Sequence, residues 1–349
     1  MSKNILVTGG AGYIGSHMVR QLTNAGHQVV VFDNLHRGNR DAVPPNMLVE
    51  GDLLDRPRLD KLFAEHSIDA VMHFAALAYV GESVQQPSEY YRNNVGGTQS
   101  LMDAMCAHNV KRLVFSSTCA TYGVPEQLPI TEATAQNPIN PYGQSKLMVE
   151  KMLSDYSVAY GLSSIALRYF NAAGCAEDGS LGERHEPETH LLPLILFEAL
   201  RVKAGGNTKD TSLKVFGNNF DTRDGTCVRD YIHVNDLCSA HIRALDRLLA
   251  SLDVKDNNGG ETMVSGSAEQ YNLGTNHGYT VLEVIETCRR ITGVDIQYQS
   301  VERREGDPPE LVADASLAMN TLGWTPDYAD IEHSIQHAWD WYCAHPPAI

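Results

Sequence analysis

A doubly wound parallel α/β sheet followed by a smaller α/β lobe is the fold class this sequence predicts, and three observations predict it. Short apolar runs alternate with stretches of helical spacing across the first half of the chain. A glycine-rich segment joins the first run to the first helix. The length, 349 residues, also exceeds what a single core usually organises.

Residues 4 to 8, NILVT, read as a buried strand that runs directly into GGAGYIG. Gly9, Gly12 and Gly15 give the spacing G-x-x-G-x-x-G, which permits a tight turn, lets backbone amides approach a pyrophosphate and lets helix pack on strand. The helix continues through Leu22 to a stop at Gly26, and QVVVFD forms the next strand, ending at Asp33. Asp33 follows Gly15 by 18 residues, where a Rossmann-type fold places a carboxylate against the adenosine ribose hydroxyls. That favours NAD over its 2′-phosphorylated relative. Arg37 and Arg40 follow the acid and read as loop charges.

MLVEGD, a helix around Leu59 to Glu65, AVMHFAA, a long helix from about Ser88 to His108, and RLVFSST continue the alternation. Asp52, Ala75 and Ala76 fall near carboxyl ends of strands, where ligands sit in open sheets of this type. In NPYGQSK, Pro141 suits the first helical position and Asn140 can cap it, so Tyr142 and Lys146 project from one face of a new helix. A phenol with an unperturbed pKa near 10 needs about 4 kcal/mol of differential interaction to fall by three units. One lysine in a partly wet cleft falls short of that, and an oxidised nicotinamide would add a second cation.

SIALRYFN reads as one more buried strand, ending at Asn171. Residues 174 to 190 are rich in glycine, proline and charge and mark a break. The expected division is therefore 1–173 for dinucleotide binding, with a later return near 225–245, and 174–349 for the discontinuous smaller lobe. GTCVRDYIHVNDLCSAH reads as strand then helix, Lys255 to Gln270 as an exposed loop, and Val281 to Ile291 and Ile331 to Tyr342 as helices.

A net charge of −16 argues against nucleic-acid or anionic-membrane partners. No apolar run reaches membrane-spanning length and MSKNILVTGG lacks signal-peptide regions, so a cytoplasmic protein is expected. Seven scattered cysteines without a C-x-x-C pair suggest reduced thiols. The 14 histidines show no H-E-x-x-H spacing, so no metal is expected.

Taken together, VTGGAGYIGSH, SSTCATYG, NPYGQSK and GTCVRDYIHVNDL resemble the extended short-chain dehydrogenase/reductase superfamily. RYFNAAG, VRDYIHV and RREGDPPELVADAS are similar to its nucleotide-sugar 4-epimerase branch, and the similarity runs from Ile5 to about Trp341. The resemblance implies a catalytic set of Tyr142, Lys146 and Thr118, with Thr118 at the end of the preceding strand. It implies reversible 4-epimerisation of UDP-glucose and UDP-galactose through a 4-keto sugar, with NAD regenerated each cycle. In that cycle Tyr142 takes the proton, Thr118 bonds the 4-oxygen, and Lys146 orients the nicotinamide ribose and holds Tyr142 as phenolate. The cofactor set becomes Gly9, Gly12, Tyr13, Ile14, Gly15, Asp33, Asn34, Asp52, Leu53, Phe74, Ala75, Ala76, Asn94, Tyr142, Lys146 and Tyr169. For the nucleotide sugar it implies Thr118, Tyr142, Asn171, His190, Leu191, Phe216, Arg229, Arg304, Asp307 and Leu311.

Related dehydratases carry an Asp-Glu pair directly after the strand-end Thr; here Cys119 and Ala120 stand there, leaving elimination without an acid and a base. Two departures from the branch bear on detail. Ala78 replaces a lysine that some members carry, and Leu311 replaces a gatekeeper that is tyrosine in glucose-only members and small in members accepting N-acetylated sugars. An N-acetylhexosamine or uronate substrate stays open, as does a dinucleotide sensor, although a sensor needs none of Thr118, Tyr142 and Lys146. The superfamily is commonly dimeric, which points to a homodimer through helices near Ser88 to His108 and Pro141 to Ala159.

Overall fold

A computed structural model describes residues 2–251, 266–304 and 307–347. The first half runs β1 (Asn4–Thr8), α1 (Tyr13–Asn24), β2 (Gln28–Asp33), β3 (Leu48–Glu50), α2 (Arg56–Glu65), β4 (Ala70–His73), α3 (Val80–Gln85), α4 (Pro87–Tyr90), α5 (Gly97–Ala107), β5 (Arg112–Thr118), α6 (Pro141–Tyr160) and β6 (Ser163–Tyr169). The remainder adds β7 (Asn171–Ala173), α7 (Leu191–Lys203), β8 (Lys214–Phe216), β9 (Val228–His233), α8 (Val234–Ser251), β10 (Ala268–Leu273), β11 (Gly278–Thr280), α9 (Val281–Thr292), β12 (Gln299–Val301), β13 (Glu310–Leu311), α10 (Ser316–Leu322) and α11 (Ile331–Ala344).

Seven parallel strands form the main sheet in the order β10-β6-β5-β4-β1-β2-β3. Alternate side chains of β1 enter opposite cores, Ile5 and Val7 with α1 and α8, Leu6 with α2, α5 and α6. The order reverses between β1 and β4, and the crevice at their carboxyl ends is where such sheets take ligands. A second sheet, β11-β9-β13 with β7 on β9, and a two-stranded pair, β12 and β8, build the lobe. Its core is Tyr231 of β9 with apolar residues of α7, α9 and α11.

Several expectations change in detail. The helix expected from Ser88 to His108 is interrupted by a π-turn at Tyr91–Gly96 that separates α4 from α5. The strand expected to end at Asn171 stops at Tyr169 as β6, and Asn171 instead opens β7, which pairs with β9 of the other sheet. Most of the loop expected from Lys255 to Gln270 lies outside the described residues, and its last three, Ala268 to Gln270, begin the edge strand of the main sheet. No described helix is long and apolar enough to cross a membrane.

Candidate active site

The glycine segment lies at the reversal of strand order. Gly9 has φ +72°, and a Cβ on it would stand 2.4 Å from the Ala75 amide nitrogen. A Cβ on Gly15 would stand 2.1 Å from the Gly9 carbonyl oxygen. Only glycine allows both approaches. They bring Phe74, Ala75 and Ala76 beside the start of α1, whose first amides, from Tyr13, Ile14 and Gly15, face its N-terminus with no partner in the preceding turn. The Tyr13 hydroxyl itself donates to the Gly174 carbonyl at 2.5 Å, tying the first helix to the lobe.

Asp33 accepts the Ala11 amide at 3.0 Å and the Leu35 amide at 2.8 Å, so it holds the glycine turn in place. Burial raises its carboxyl pKa, and these two amides oppose that. Asn34 donates to Asp52 at 2.9 Å, joining the ends of β2 and β3, and Leu53 is buried against α2 and α5. Arg37 pairs with Glu82 at 2.8 Å and Arg40 with Glu50, the loop-charge role expected of them. A turn that admits only glycine, a helix N-terminus aimed into the crevice and a carboxylate at the end of β2 together fit a dinucleotide.

Asn140 caps α6 by accepting the Gly143 amide at 2.8 Å, with Pro141 in the first turn. A Cβ on Gly143 would stand 2.5 Å from the Ala120 carbonyl oxygen, so α6 enters directly against the turn that follows β5. This close approach sets the Tyr142 phenol beside the Thr118 hydroxyl. Thr118 also accepts the Ala120 amide at 3.1 Å. Burial pushes the Tyr142 pKa up to about 12, with the Thr118 hydrogen bond opposing it. Lys146 donates to the Ser116 carbonyl at 2.8 Å and lies 4.9 Å from the centre of the Phe115 ring. Its burial lowers its pKa to about 7, against the pull of Glu150. Burial and the turn of Lys146 toward a carbonyl both disfavour the phenolate that the resemblance implies for Tyr142, which needs a further positive charge.

A layer of polar contacts that the motifs did not reveal supports this corner. Glu150 and Arg168 form a buried pair at 2.6 Å, Ser117 donates to Glu150 at 2.5 Å, and Arg168 reaches the Tyr122 hydroxyl at 2.9 Å. Tyr122 donates to Asn272 of β10 at 2.7 Å. Asn94, in the π-turn, donates to the Leu77 carbonyl at 2.9 Å and to Ser145 at 3.0 Å, fixing α6 one residue ahead of Lys146. A π-turn often re-aims a side chain at such places. Tyr169 shares a short hydrogen bond with Ser116, and burial raises its pKa. His73 bridges Thr8 at 2.6 Å and Thr98 at 2.8 Å; burial, then the charge of Lys146, lowers its pKa to about 3. One signal for this layer was in the sequence: a glycine inside a helix, at Gly143, marks close approach.

Strand pairing brings other expected residues together across the lobe. Asn171 donates to the Asp230 carbonyl at 2.9 Å, and Arg229 pairs in register with Leu311. Asp230 is buried and accepts the Thr275 and Ala313 amides, at 2.9 and 3.2 Å. Arg304 stacks on Phe216 at 3.8 Å, and the Asp307 amide donates to the Arg304 carbonyl at 3.3 Å. Among the described residues no carboxylate lies within 4.0 Å of Arg229, Arg303 or Arg304. Guanidinium groups without a carboxylate partner in so acidic a chain can still receive an anionic ligand. Leu191 opens α7, whereas the His190 imidazole is engaged by Glu183 and Glu188 at 2.9 and 3.0 Å. Cys119 is buried, which pushes its thiol up to about 12, in keeping with a packed role.

Residues 5–258 match the NAD dependent epimerase/dehydratase family. A relative from Lactobacillus helveticus, a UDP-glucose 4-epimerase, is 48% identical over 343 residues, spanning 98% of both chains. A crystal structure of UDP-glucose 4-epimerase from Brucella ovis in complex with NAD superposes with a TM-score of 0.88 at 47% identity, covering 97% of this chain and 98% of that one. The UDP-glucose 4-epimerase from Bifidobacterium longum, solved with NAD+ and UDP, gives a TM-score of 0.86 at 36% identity, covering 99% and 100%.

Proposed function

The chain belongs to the NAD dependent epimerase/dehydratase family, and from that premise we propose that it interconverts UDP-glucose and UDP-galactose by inverting C4. The observation that carries the reading is the Thr118 hydroxyl beside the Tyr142 phenol at the carboxyl end of β5, with Lys146 one helical turn away. Tyr142 removes the proton from the sugar's 4-hydroxyl, and Thr118 holds that oxygen so that the transfer is short. NAD, when bound, accepts hydride from C4 and returns it to the other face of the 4-keto sugar. Lys146 leaves the Ser116 carbonyl for the nicotinamide ribose, and its charge with that of the oxidised ring lowers the Tyr142 pKa.

Gly9, Gly12, Tyr13, Ile14 and Gly15 hold the pyrophosphate, Asp33 and Asn34 the adenosine ribose, Asp52 and Leu53 the adenine, and Phe74, Ala75, Ala76, Asn94 and Tyr169 the nicotinamide side. Arg229 and Arg304 bind the diphosphate of UDP, with Asn171, Leu191, Phe216 and Asp307 around the nucleoside. His190 contributes through the start of α7.

We infer a homodimer through α6, the helix expected from Pro141 to Ala159, with α3 taking the place expected of the helix near Ser88 to His108. Val80 and Val84 are 46% and 62% exposed, and Met148 and Val158 are 38% and 89% exposed. Side chains of this kind on neighbouring helices form an apolar face that a second copy would cover. Sedimentation at micromolar concentration checks this, and a monomer there overturns it.

To test the activity, the purified protein is incubated without added cofactor with UDP-galactose, and the products are separated chromatographically. UDP-glucose is expected. No conversion after NAD is supplied overturns the reading. A second reading, tolerance of N-acetylated sugars, is favoured by Leu311, which is smaller than tyrosine and pairs with Arg229.

A further inference from the structure

Four side chains ahead of α7 converge where the sequence spacing gave no sign of a metal. Glu183, His185, Glu188 and His190 each contribute one ligand atom, and these atoms all lie within 4.8 Å of one another. His190 Nδ1 lies 2.9 Å from Glu183 Oε1 and 3.0 Å from Glu188 Oε1. His185 Nδ1 lies 3.1 Å from Glu183 Oε1 and 3.5 Å from Glu188 Oε2. Nitrogen and oxygen ligands sit about 2.0 to 2.2 Å from zinc, so the edges of a tetrahedron of such ligands are roughly 3.3 to 3.6 Å long. Three of these contacts are shorter than such an edge and the fourth, to the second Glu188 oxygen, matches it, so the side chains reach that shape by moving apart around a central ion.

Two further observations point the same way. His185 Nδ1 and Glu188 Oε2 are buried and make no hydrogen bond, although they stand 3.5 Å apart. Among the described residues Glu183 and Glu188 have no lysine or arginine within 4.0 Å and face only the two imidazoles. Two carboxylates in a largely buried place need two positive charges. One divalent cation supplies both and leaves each imidazole neutral, the form that binds metal.

We propose that Glu183, His185, Glu188 and His190 form a closed four-coordinate divalent-cation site, with zinc the ion their donors suit best. Two imidazoles and two carboxylates match zinc's preferences, and four protein ligands leave no open position, so the ion is structural rather than catalytic. Outer contacts hold the donors in place. Glu188 Oε1 accepts the Thr189 and His190 amides at 2.7 and 2.8 Å, and Tyr342 donates to the Glu183 carbonyl at 3.0 Å. The rings of Tyr13 and Tyr79 meet His185 edge-on at 6.1 and 6.0 Å. The ion thereby clamps residues 183–190 between the start of α1 and the start of α7.

The test strips the NAD-bound protein with a chelator, adds about two equivalents of zinc sulfate, desalts it and measures zinc per chain. His185→Gln and Glu188→Gln are treated alike, and retained NAD shows that each is folded. About one zinc per chain is expected in the wild type, with at least tenfold less in both variants. Cobalt in place of zinc is expected to give the intense visible bands of tetrahedral coordination. Less than about a tenth of an equivalent of zinc in the wild type overturns the proposal and leaves protonated histidines paired with the carboxylates. So do wild-type zinc content in a folded variant and the weak bands of six-coordinate cobalt. The two wild-type measurements decide the matter if neither variant folds.

Discussion

The Lys146 ammonium lies 6.0 Å from the centre of the Tyr142 ring while donating to the Ser116 carbonyl at 2.8 Å. The two residues share a helical face, yet the lysine gives its hydrogen bond to strand β5 rather than to the phenol. Burial holds the Tyr142 pKa up at about 12, which favours the neutral phenol. Removing its hydroxyl should leave NAD and UDP binding intact and cut turnover by about 100- to 10,000-fold, the usual worth of a positioned acid–base group. Single-turnover kinetics of Tyr142→Phe with UDP-galactose check this; a loss confined to KM would refute the role.

Lys146 carries a second, thermodynamic signature. Its pKa is about 7 in the fold, against 10.5 for an unperturbed lysine. Between those values the unfolded chain holds the proton that the folded chain has released, so the unfolded state binds more protons and stability rises with pH. The contribution is at most about 1.4 kcal/mol per pH unit in that window. Urea unfolding of cofactor-free protein at several pH values from 7 to 10 should show a smaller slope in Lys146→Met. Equal slopes would mean that the ammonium keeps its ordinary pKa.

Gly15 admits no side chain, because a Cβ would stand 2.1 Å from the Gly9 carbonyl. Gly15→Ala must push the first turn of α1 away from the glycine loop, and the amides there lose their aim. Co-purified NAD should fall at least tenfold while the far-ultraviolet circular dichroism keeps its shape. Retention of NAD at wild-type content would show that the turn relaxes without harm to the cofactor.

The Glu150–Arg168 pair is nearly inaccessible, at 4% and 5% side-chain exposure. Arg168→Met leaves a buried carboxylate with Ser117 and Gln136 as its hydrogen-bond partners among the described residues. Removing one member of such a pair costs about 3 to 5 kcal/mol. Denaturant unfolding at neutral pH measures the loss, and the double variant Glu150→Leu/Arg168→Met should recover much of it.

The parts of this molecule that were legible in the sequence are those with a local cause. Strand β1, the turn at Gly9, the cap at Asn140 and the four-residue spacing of Tyr142 and Lys146 each follow from neighbours in the chain. Contacts between distant segments were not legible. Glu150 reads as an ordinary helical acid until β6 brings Arg168 to it, and Ala268–Gln270 reads as a loop end until it pairs with β6. The direction of the Lys146 ammonium depends on the Ser116 carbonyl, which no spacing within α6 encodes. Likewise, His185, Glu188 and His190 share no regular ligand spacing, and only the path of the chain from Glu183 gathers them.

On the function proposed above, Leu311 would set the room beside the substrate's sugar ring. It lies on β13 in register with Arg229 of β9, so a bulkier side chain there narrows the space next to a residue assigned to the diphosphate. Leu311→Tyr should therefore reduce kcat/KM for UDP-N-acetylgalactosamine at least tenfold more than for UDP-galactose, within the roughly 10- to 200-fold that small steric differences in a pocket usually give. Leu311→Ala should shift the ratio the other way, at the cost of a core contact with Ile130 and Phe170. Progress curves with each sugar at matched enzyme concentration give the ratio directly. If both substrates lose the same factor in Leu311→Tyr, the residue affects the site as a whole and does not discriminate at the acetamido group.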